Sequence, residues 1–172
     1  MKKTNLFISL ACVLVLVTVM TAPAMAVEQT QPASVSVNTY ISATITDAGA
    51  AGINFGALNP GTTNNAELAQ GALGAINITV AVETNVACKI GIKGSGNFSD
   101  NVSNSFPLGN ATWNNANTPP GTAMTTGYAQ IGTATTPGTA RSQEVWHWIN
   151  IPANQPPASY STTFYYKADQ TL

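Results

Sequence analysis

The residues that could carry out catalytic chemistry are few in this chain. An active site needs a nucleophile, a base and a group that orients them, or a set of metal ligands. His147 is the only histidine, and in a strand its side chain would point away from that of Glu144, three residues earlier. These two groups therefore form no local acid–base pair. The chain contains no other such constellation, and we expect that it is not an enzyme.

The candidate metal ligands are also dispersed. The carboxylates form no Asp-rich loop with the spacing of a calcium site. Cys88 is the one cysteine beyond residue 26, so it cannot supply the ligand set of a zinc site. It lies in an alternating apolar run, which indicates a core thiol. We expect neither a metal nor a cofactor.

Aromatic side chains could serve a different purpose, the stacking of sugar rings on an exposed surface. The candidates are Trp113, Trp146, Trp148 and Tyr165. The same residues could instead pack in the core or in an interface, where aromatic rings dominate the contacts. The pattern around His147 does not decide which face of its strand is buried. The tryptophans are therefore candidate surface or interface aromatics, with core packing as the alternative.

Four Asn-x-Ser/Thr sequons form another group of candidate sites. Asn97, Asn101 and Asn110 crowd into one polar loop, whereas Asn77 lies within a predicted strand. In an exported protein such asparagines can carry sugars on the surface. Loops rich in Asn, Ser and Thr also produce sequons by chance. We regard Asn97, Asn101 and Asn110 as possible N-glycosylation sites.

The elements that would position these residues are strands. Apolar residues alternate through Ile76–Val82 and again through Val86–Ile92, with Glu83-Thr84-Asn85 between the two runs. This arrangement predicts an antiparallel hairpin. A shorter strand is predicted at Gly52–Gly56, closed by a turn at Asn59-Pro60-Gly61.

The rest of the chain is also predicted to form strands and loops. The stretch 94–127 reads as loop with short strands near residues 106–108 and 128–131, and strands are predicted at 143–152 and 159–169. A turn or two of helix around Ala66–Leu73 is the best helical candidate. Short strands, turn signals and so little helix predict an all-β, antiparallel β-sandwich, with a jelly-roll-like arrangement.

The first 26 residues have the features of a signal peptide. Lys2 and Lys3 precede an apolar run, and Ala24-Met25-Ala26 fits a cleavage site. A retained N-terminal anchor is the alternative. Cleavage after Ala26 would leave a secreted chain, located outside the cell or on its surface, without a membrane span. The absence of a cysteine just after the apolar run disfavours a lipoprotein, and loss of the apolar run disfavours a type IV pilin.

Charge excludes one class of partner. Beyond residue 26 there are four basic and seven acidic side chains, a formal charge of −3. No cluster of Lys and Arg is available to neutralise phosphates, so we expect no binding of nucleic acid.

Apolar and polar residues alternate over an unusually long segment, residues 34–46. Apolar or β-branched residues occupy every second position from Val35 to Ile45, and small polar residues occupy most of the others. As one strand it would span about 43 Å, whereas typical strands hold about 5–6 residues. One explanation is that the strand bends or crosses between the two sheets of an ordinary monomer.

A second explanation comes from a resemblance. "INFGALNPG", "AINITVAV" and "ACKIGIKGSG", followed by "WINIPANQPPASYSTTFYY", resemble segments of secreted pilin-like β-sandwich modules, as in spore-coat-U-type fimbrial proteins and TasA-like or archaeal bundling-pilus subunits. The resemblance covers roughly Ile53–Gly96 and Trp148–Tyr166, less than half of the chain. The fimbrial disulfide is missing because Cys88 is alone, and Ala158 stands where Gly is common.

This resemblance implies an Ig-like pilin topology and assembly by donor-strand exchange. An extended N-terminal segment, residues 27–46, would complete the sheet of the next copy's domain, residues 47–172. The donor side chains would be Val35, Val37, Thr39 and Ile41, while Ala43–Thr46 would stay in the home sheet. The product is a head-to-tail homopolymer.

Two functions follow from these observations. The first is an exported structural subunit of a non-type-IV extracellular filament, or pilus. The second is a carbohydrate-binding or adhesive β-sandwich module on the cell surface, with glycans as its partners and the tryptophans as its platform.

Overall fold

The computed structural model describes residues 32–46, 52–68 and 76–172. The predicted signal peptide, the start of the predicted donor segment at residues 27–31 and most of the candidate helical turn lie outside these residues. Within them the chain is all-β, and the only helical segment is a 3-10 turn at Leu108–Asn110. None of these residues belongs to a helix with the length and apolarity that a membrane crossing requires.

Eleven strands are present in the described residues. They are β1 (Ala43–Thr46), β2 (Asn65–Ala66), β3 (Ile76–Val80), β4 (Cys88–Gly94), β5 (Phe98–Ser99), β6 (Ser105–Phe106), β7 (Ala111–Asn114), β8 (Thr122–Ala123), β9 (Ala129–Thr135), β10 (Arg141–Ile149) and β11 (Phe164–Asp169).

These strands form three antiparallel sheets. The largest has the order β1-β3-β10-β7-β8, and β2 pairs with β10 beyond the end of β3. The second sheet has the order β11-β4-β9, and β5 pairs with β6 in a small third sheet. β10 is the central strand of the large sheet, because it carries β3 and β2 on one edge and β7 on the other.

The two larger sheets share one hydrophobic core. β3 contributes Ile78 and Val80, and β4 contributes Ile90 and Ile92, all buried in a single cluster. Burying a side chain of this size contributes about 1.5–3 kcal/mol. Cys88 lies in the same cluster, with its Sγ 3.0 Å from the hydroxyl of Thr135. The arrangement is consistent with a β-sandwich.

The predicted hairpin between β3 and β4 is wrong. β3 pairs with β1 and β10, whereas β4 pairs with β9 and β11 in the other sheet. The connecting residues therefore cross between sheets. Buried Thr84 helps to fix this crossing, since its Oγ1 accepts a hydrogen bond of 3.1 Å from the backbone N–H of Ser42. Alternation shows which side chains face inward, but both inner faces of a sandwich are apolar, so it does not identify the neighbouring strand.

The predicted strand at Gly52–Gly56 is not formed. Ile53, Phe55 and Leu58 are half-buried and pack against the core, yet residues 52–58 belong to no sheet. The segment therefore has the apolar alternation of a strand without a strand beside it.

Contacts along the chain define two units, Met1–Val37 and Asn38–Leu172. In the first unit the structure describes residues 32–37, which are exposed and lie in no strand. The second unit contains all eleven strands. The long alternating run is thus not one strand: only Ala43–Thr46 pairs with β3.

Candidate functional site

The N-terminal segment presents apolar side chains to water. Val35 is 89% exposed and Val37 is 80% exposed. Thr39 is exposed as well, whereas Ile41 is half-buried and packs against the core of its own domain. Of the four predicted donor side chains, three project into solvent and the fourth contacts the home domain.

Hydrogen bonds to Asn85 mark the point at which this segment joins the domain. The backbone N–H of Tyr40 donates to Asn85 Oδ1 over 2.8 Å, and the backbone N–H of Asn85 donates to the carbonyl of Tyr40 over 3.1 Å. Asn85 Nδ2 also donates to the carbonyl of Asn38 over 2.8 Å. Among the described residues, these hydrogen bonds to Asn85 begin at Asn38.

A groove of about 960 Å³ opens elsewhere in the 38–172 domain. One rim is the segment 53–60, which belongs to no sheet, and the other rim is the segment 155–162, which leads into β11. Side chains from several elements form its floor: Phe98, Phe106, Ile149, Ile151 and Phe164. None of the described residues that line this groove carries a charge.

The floor is largely aromatic. Phe98 and Phe106 stack with ring centroids 4.7 Å apart and an interplanar angle of 5°. Tyr160 meets Phe106 edge-on at 5.3 Å, and Phe164 meets Phe98 edge-on at 6.2 Å. Offset-stacked and edge-to-face pairs of this kind add rigidity and about 0.5–1.5 kcal/mol each beyond area burial. The groove therefore has a preformed apolar floor.

The backbone of the 155–162 rim has a free edge. Ser161 exchanges backbone hydrogen bonds with Ser99, and the carbonyl of Thr163 accepts one from Ser95. Because successive residues of an extended chain direct their N–H and C=O groups to opposite edges, those of Tyr160 and Thr162 point the other way, toward the groove. Among the described residues, neither of them makes a backbone–backbone hydrogen bond.

The opposite rim, segment 53–60, also has backbone groups without a backbone partner. In the described part of the chain, the backbone groups of Phe55 and Ala57 make no hydrogen bond to other backbone groups. Buried or sheet-edge backbone groups are nearly always paired with protein or water. The groove thus combines an apolar floor with rims on which four residues, Phe55, Ala57, Tyr160 and Thr162, make no backbone–backbone hydrogen bond among the described residues. An added strand could supply such bonds.

A buried polar cluster lies beside this floor. His147 is fully buried, with Nδ1 3.6 Å from Glu67 Oε2 and Nε2 2.9 Å from the hydroxyl of Tyr166, with which it shares a hydrogen bond. Its ring stacks on Phe164 at 5.8 Å. The cluster ties β10, β11 and the residue after β2 together. Its acid is Glu67 and not Glu144, a pairing that sequence reasoning missed because the two residues lie far apart in the chain.

The three tryptophans differ in exposure. Trp113 is 7% exposed and Trp148 is 2% exposed, whereas Trp146 is half-buried. Trp113 and Trp148 therefore pack inside the domain and offer no surface for a sugar ring.

A more accessible aromatic surface lies on the outer face of the β11-β4-β9 sheet. Lys93 Nζ lies 4.8 Å from the ring centroid of Tyr128 and 5.4 Å from that of Tyr165, and Lys167 Nζ lies 4.6 Å from the Tyr128 centroid. We call these four residues the lysine–tyrosine patch. Only Tyr165 was identified from the sequence, because the other three are neighbours only through strand pairing.

The sequon asparagines are presented differently. Asn97 and Asn101 are exposed, although Asn97 Oδ1 accepts a hydrogen bond from the backbone N–H of Leu108. Asn110 is half-buried, and its Nδ2 donates to the carbonyl of Asn150 over 3.1 Å. Asn77 Oδ1 accepts a hydrogen bond from the Ser142 hydroxyl. Asn101 is therefore the most accessible of the four.

The turn that carries Asn101 is held by hydrogen bonds to the carboxylate of Asp100. Hydrogen bonds from the backbone N–H of Val102 and from the side-chain amide of Asn104 lower the pKa of Asp100 to about 2. The same carboxylate accepts the backbone N–H groups of Ser103 and Asn104 at 3.0 Å each. The effect of each bond is to favour the charged form.

In the part of the chain that the structure describes, no three His, Cys, Asp or Glu side chains converge as metal ligands would. Comparison of the whole chain with protein-family models and with curated proteins gave no match, so the exposed N-terminal segment, the groove and the lysine–tyrosine patch are the features from which a function can be inferred.

Proposed function

We propose that this protein is an exported structural subunit of a non-type-IV extracellular filament, in which each copy donates its N-terminal segment to the sheet of a neighbour. The observation that carries the proposal is the exposure of Val35 and Val37, 89% and 80%, in an alternating segment that lies outside its own sheets. The finer fold that goes with this function is a pilin-like sandwich of Ig-like or jelly-roll topology.

The energetics favour donation over exposure. Moving an exposed valine into an apolar site contributes about 1.5–3 kcal/mol. A backbone ladder adds about 0.5–1.5 kcal/mol for each hydrogen bond. Because donor and acceptor are different surfaces of one molecule, the contact is head-to-tail and need not close into a ring. A chain of subunits is the expected product, and no catalysis is required of it.

Removal of the free segment tests this function. Deletion of residues 27–37 should abolish filaments in electron micrographs of the culture supernatant, while the remaining domain still folds and unfolds cooperatively. The deletion stops at Val37 because Asn38 and Tyr40 bond to Asn85.

A matched pair of variants controls for chain length. Val35→Ser with Val37→Ser changes the apolar face and should prevent polymerisation, whereas Ser34→Ala with Ser36→Ala changes the other face and should permit it. Filaments of normal length from the deletion or from the valine variant would contradict the proposal.

A second candidate function is binding of glycans at the cell surface, and the lysine–tyrosine patch favours it. Aromatic rings beside amines can stack on sugars and attract acidic groups. Since Trp113 and Trp148 are buried, the platform would be Tyr165 and Tyr128.

Glycan arrays test this candidate. Tyr165→Ala with Lys93→Ala should abolish any binding that the wild type shows, whereas Val102→Ala, at an exposed position in another part of the domain, should not. A wild-type protein that binds no glycan would remove the basis for this function.

A further inference from the structure

We propose that the groove between segments 53–60 and 155–162 is the acceptor, and that its occupant is residues 32–37 of a second copy. This inference rests on the proposed filament function and specifies its contact surface. Strand addition at the groove uses the same segment whose exposure motivates the filament.

The groove offers a hydrogen-bonding edge that the domain itself does not use. Ser161 and Thr163 direct their backbone groups to Ser99 and Ser95, which leaves those of Tyr160 and Thr162 directed into the groove. A strand laid beside them can form a ladder with both residues. The addition of a strand to an open edge is an established mode of peptide recognition.

The side chains also match. Val35 and Val37 lie on one face of an extended chain, about 6.6 Å apart, while Ser34 and Ser36 lie on the other face. The valines would meet the aromatic floor, and the serines would face water. Neither residues 32–42 nor the described lining of the groove contains a charged side chain, so insertion would bury no unpaired charge.

Chain geometry excludes the binding of residues 32–37 to the groove of their own molecule. Ala43 is opposite Val80 in β3, and Val80 is opposite Arg141 in β10. The N-terminal segment therefore joins the domain at the Arg141 end of β10. The groove contacts Ile149 and Ile151, at the other end of that strand. Eight residues of strand separate Arg141 from Ile149, about 26 Å.

Val35 is three residues from Asn38, where the domain holds the chain, and three residues span at most about 11 Å. Val35 and Val37 cannot cross the length of β10 to reach the groove of their own copy. The occupant must come from another molecule, and each molecule then donates at one end of β10 and accepts at the other. This polarity gives a linear polymer.

Crosslinking tests the acceptor. The full chain carries Ser36→Cys, on the water-facing side of the segment, together with Ala158→Cys, an exposed position on the groove rim. A short thiol-to-thiol crosslinker should convert filaments into a ladder of covalent oligomers on a denaturing gel. The matched control pairs Ser36→Cys with Ala123→Cys, an exposed alanine on β8, and should give no ladder. Wild type should also give none, because Cys88 is buried.

The results distinguish a wrong acceptor assignment from a wrong filament function. Filaments in micrographs with no ladder from the Ser36/Ala158 pair would overturn the groove as acceptor and leave the filament function standing. An absence of filaments from wild-type protein would overturn both. Equal ladders from the Ala158 and Ala123 pairs would also overturn the assignment.

A peptide provides a second measurement that does not depend on the cysteine variants. Synthetic PASVSVNTYIS, residues 32–42, should raise the melting temperature of monomeric wild-type protein as its concentration rises. The same peptide with Asp in place of both valines should have no effect. No shift with the native peptide would contradict the inference.

Discussion

Ser161 and Ser99 exchange two backbone hydrogen bonds of 3.0 Å each. This pairing sets the orientation of the chain beside it, because it directs the backbone groups of Tyr160 and Thr162 toward the groove. Open sheet edges promote association between chains, and proteins usually cover or block them. Here the open edge borders an aromatic floor, and Val35 and Val37 of the same chain are exposed.

Asn85 should hold the chain at Asn38 and Tyr40, where the N-terminal segment joins the domain. Asn85→Ala removes the acceptor of the Tyr40 N–H and the donor to the Asn38 carbonyl, which should cost about 1 kcal/mol locally. Hydrogen exchange at the Tyr40 amide should become faster, while exchange in the core should not change. Asn85→Asp keeps the acceptor oxygens and should protect Tyr40 better than Asn85→Ala does. Equal protection of Tyr40 in wild type and Asn85→Ala would contradict this role.

His147 should stabilise the join between the two larger sheets. His147→Phe keeps an aromatic ring but removes the imidazole that faces the buried carboxylate of Glu67. The variant also removes the partner of the Tyr166 hydroxyl. Loss of hydrogen-bonding partners from buried polar groups should cost about 1–3 kcal/mol, and denaturant unfolding would measure it. Glu144→Gln changes an exposed acid on the same strand and should leave the unfolding free energy within about 0.5 kcal/mol of wild type. A His147→Phe variant as stable as wild type would disprove the prediction.

Asp100 should make the β5–β6 turn sensitive to acid. Its pKa is lowered from 3.8 to about 2, chiefly by the backbone N–H of Val102 and then by the Asn104 side chain. A carboxyl group whose pKa is lower in the folded state stabilises that state above pH 3.8, and the contribution is lost as the pH falls toward 2. The carboxyl carbon shift of Asp100, followed by NMR against pH, should show a midpoint near 2.

The matched variant is Asp100→Asn, which retains the size of the side chain but not its charge. It should increase exchange of the Val102 and Asn104 amides at neutral pH. A midpoint near 3.8 for the wild-type carboxyl group would show that these hydrogen bonds do not hold in solution.

Gly121 should tolerate no side chain. A Cβ at this position would overlap the backbone carbonyl of Trp113 and lie 2.9 Å from its backbone nitrogen. Gly121→Ala should therefore destabilise the domain by about 3 kcal/mol, since a buried strand cannot move aside cheaply. Gly96→Ala is the control, because a Cβ there would meet nothing within 4 Å. Thermal unfolding compares the two, and equal melting temperatures would contradict the prediction.

Alternation of side chains located much of the core correctly. Ile78, Ile90 and Ile92 were expected on inward faces and are buried, because side-chain direction depends only on local strand geometry. The pairing of β3 and β4 was predicted wrongly, because pairing depends on which strands meet across the core. The long run from Val35 forms a strand only at Ala43–Thr46, the part that we expected to stay in the home sheet. β3 ends at Val80, opposite Ala43, so the residues before Ala43 have no strand of the sheet beside them.

The candidate site was only half predictable. The alternation that places Val35 and Val37 on one face follows from a period of two, which is visible in a linear string of residues. The groove does not follow from such a pattern, since it joins segments 53–60 and 155–162 with Phe98 and Phe106 from a hairpin between them. The lysine–tyrosine patch and the contact of His147 with Glu67 are likewise products of strands that meet in space.

Residue order specified the all-β character of this protein, the inward face of its main strands and the presence of an unusual N-terminal alternation, because each depends on neighbours in the chain. Folding specified which edges are left without a partner, which tryptophans are buried and where the N-terminal segment joins the domain. Those properties depend on how distant segments pack and pair, and no local pattern of side chains records that.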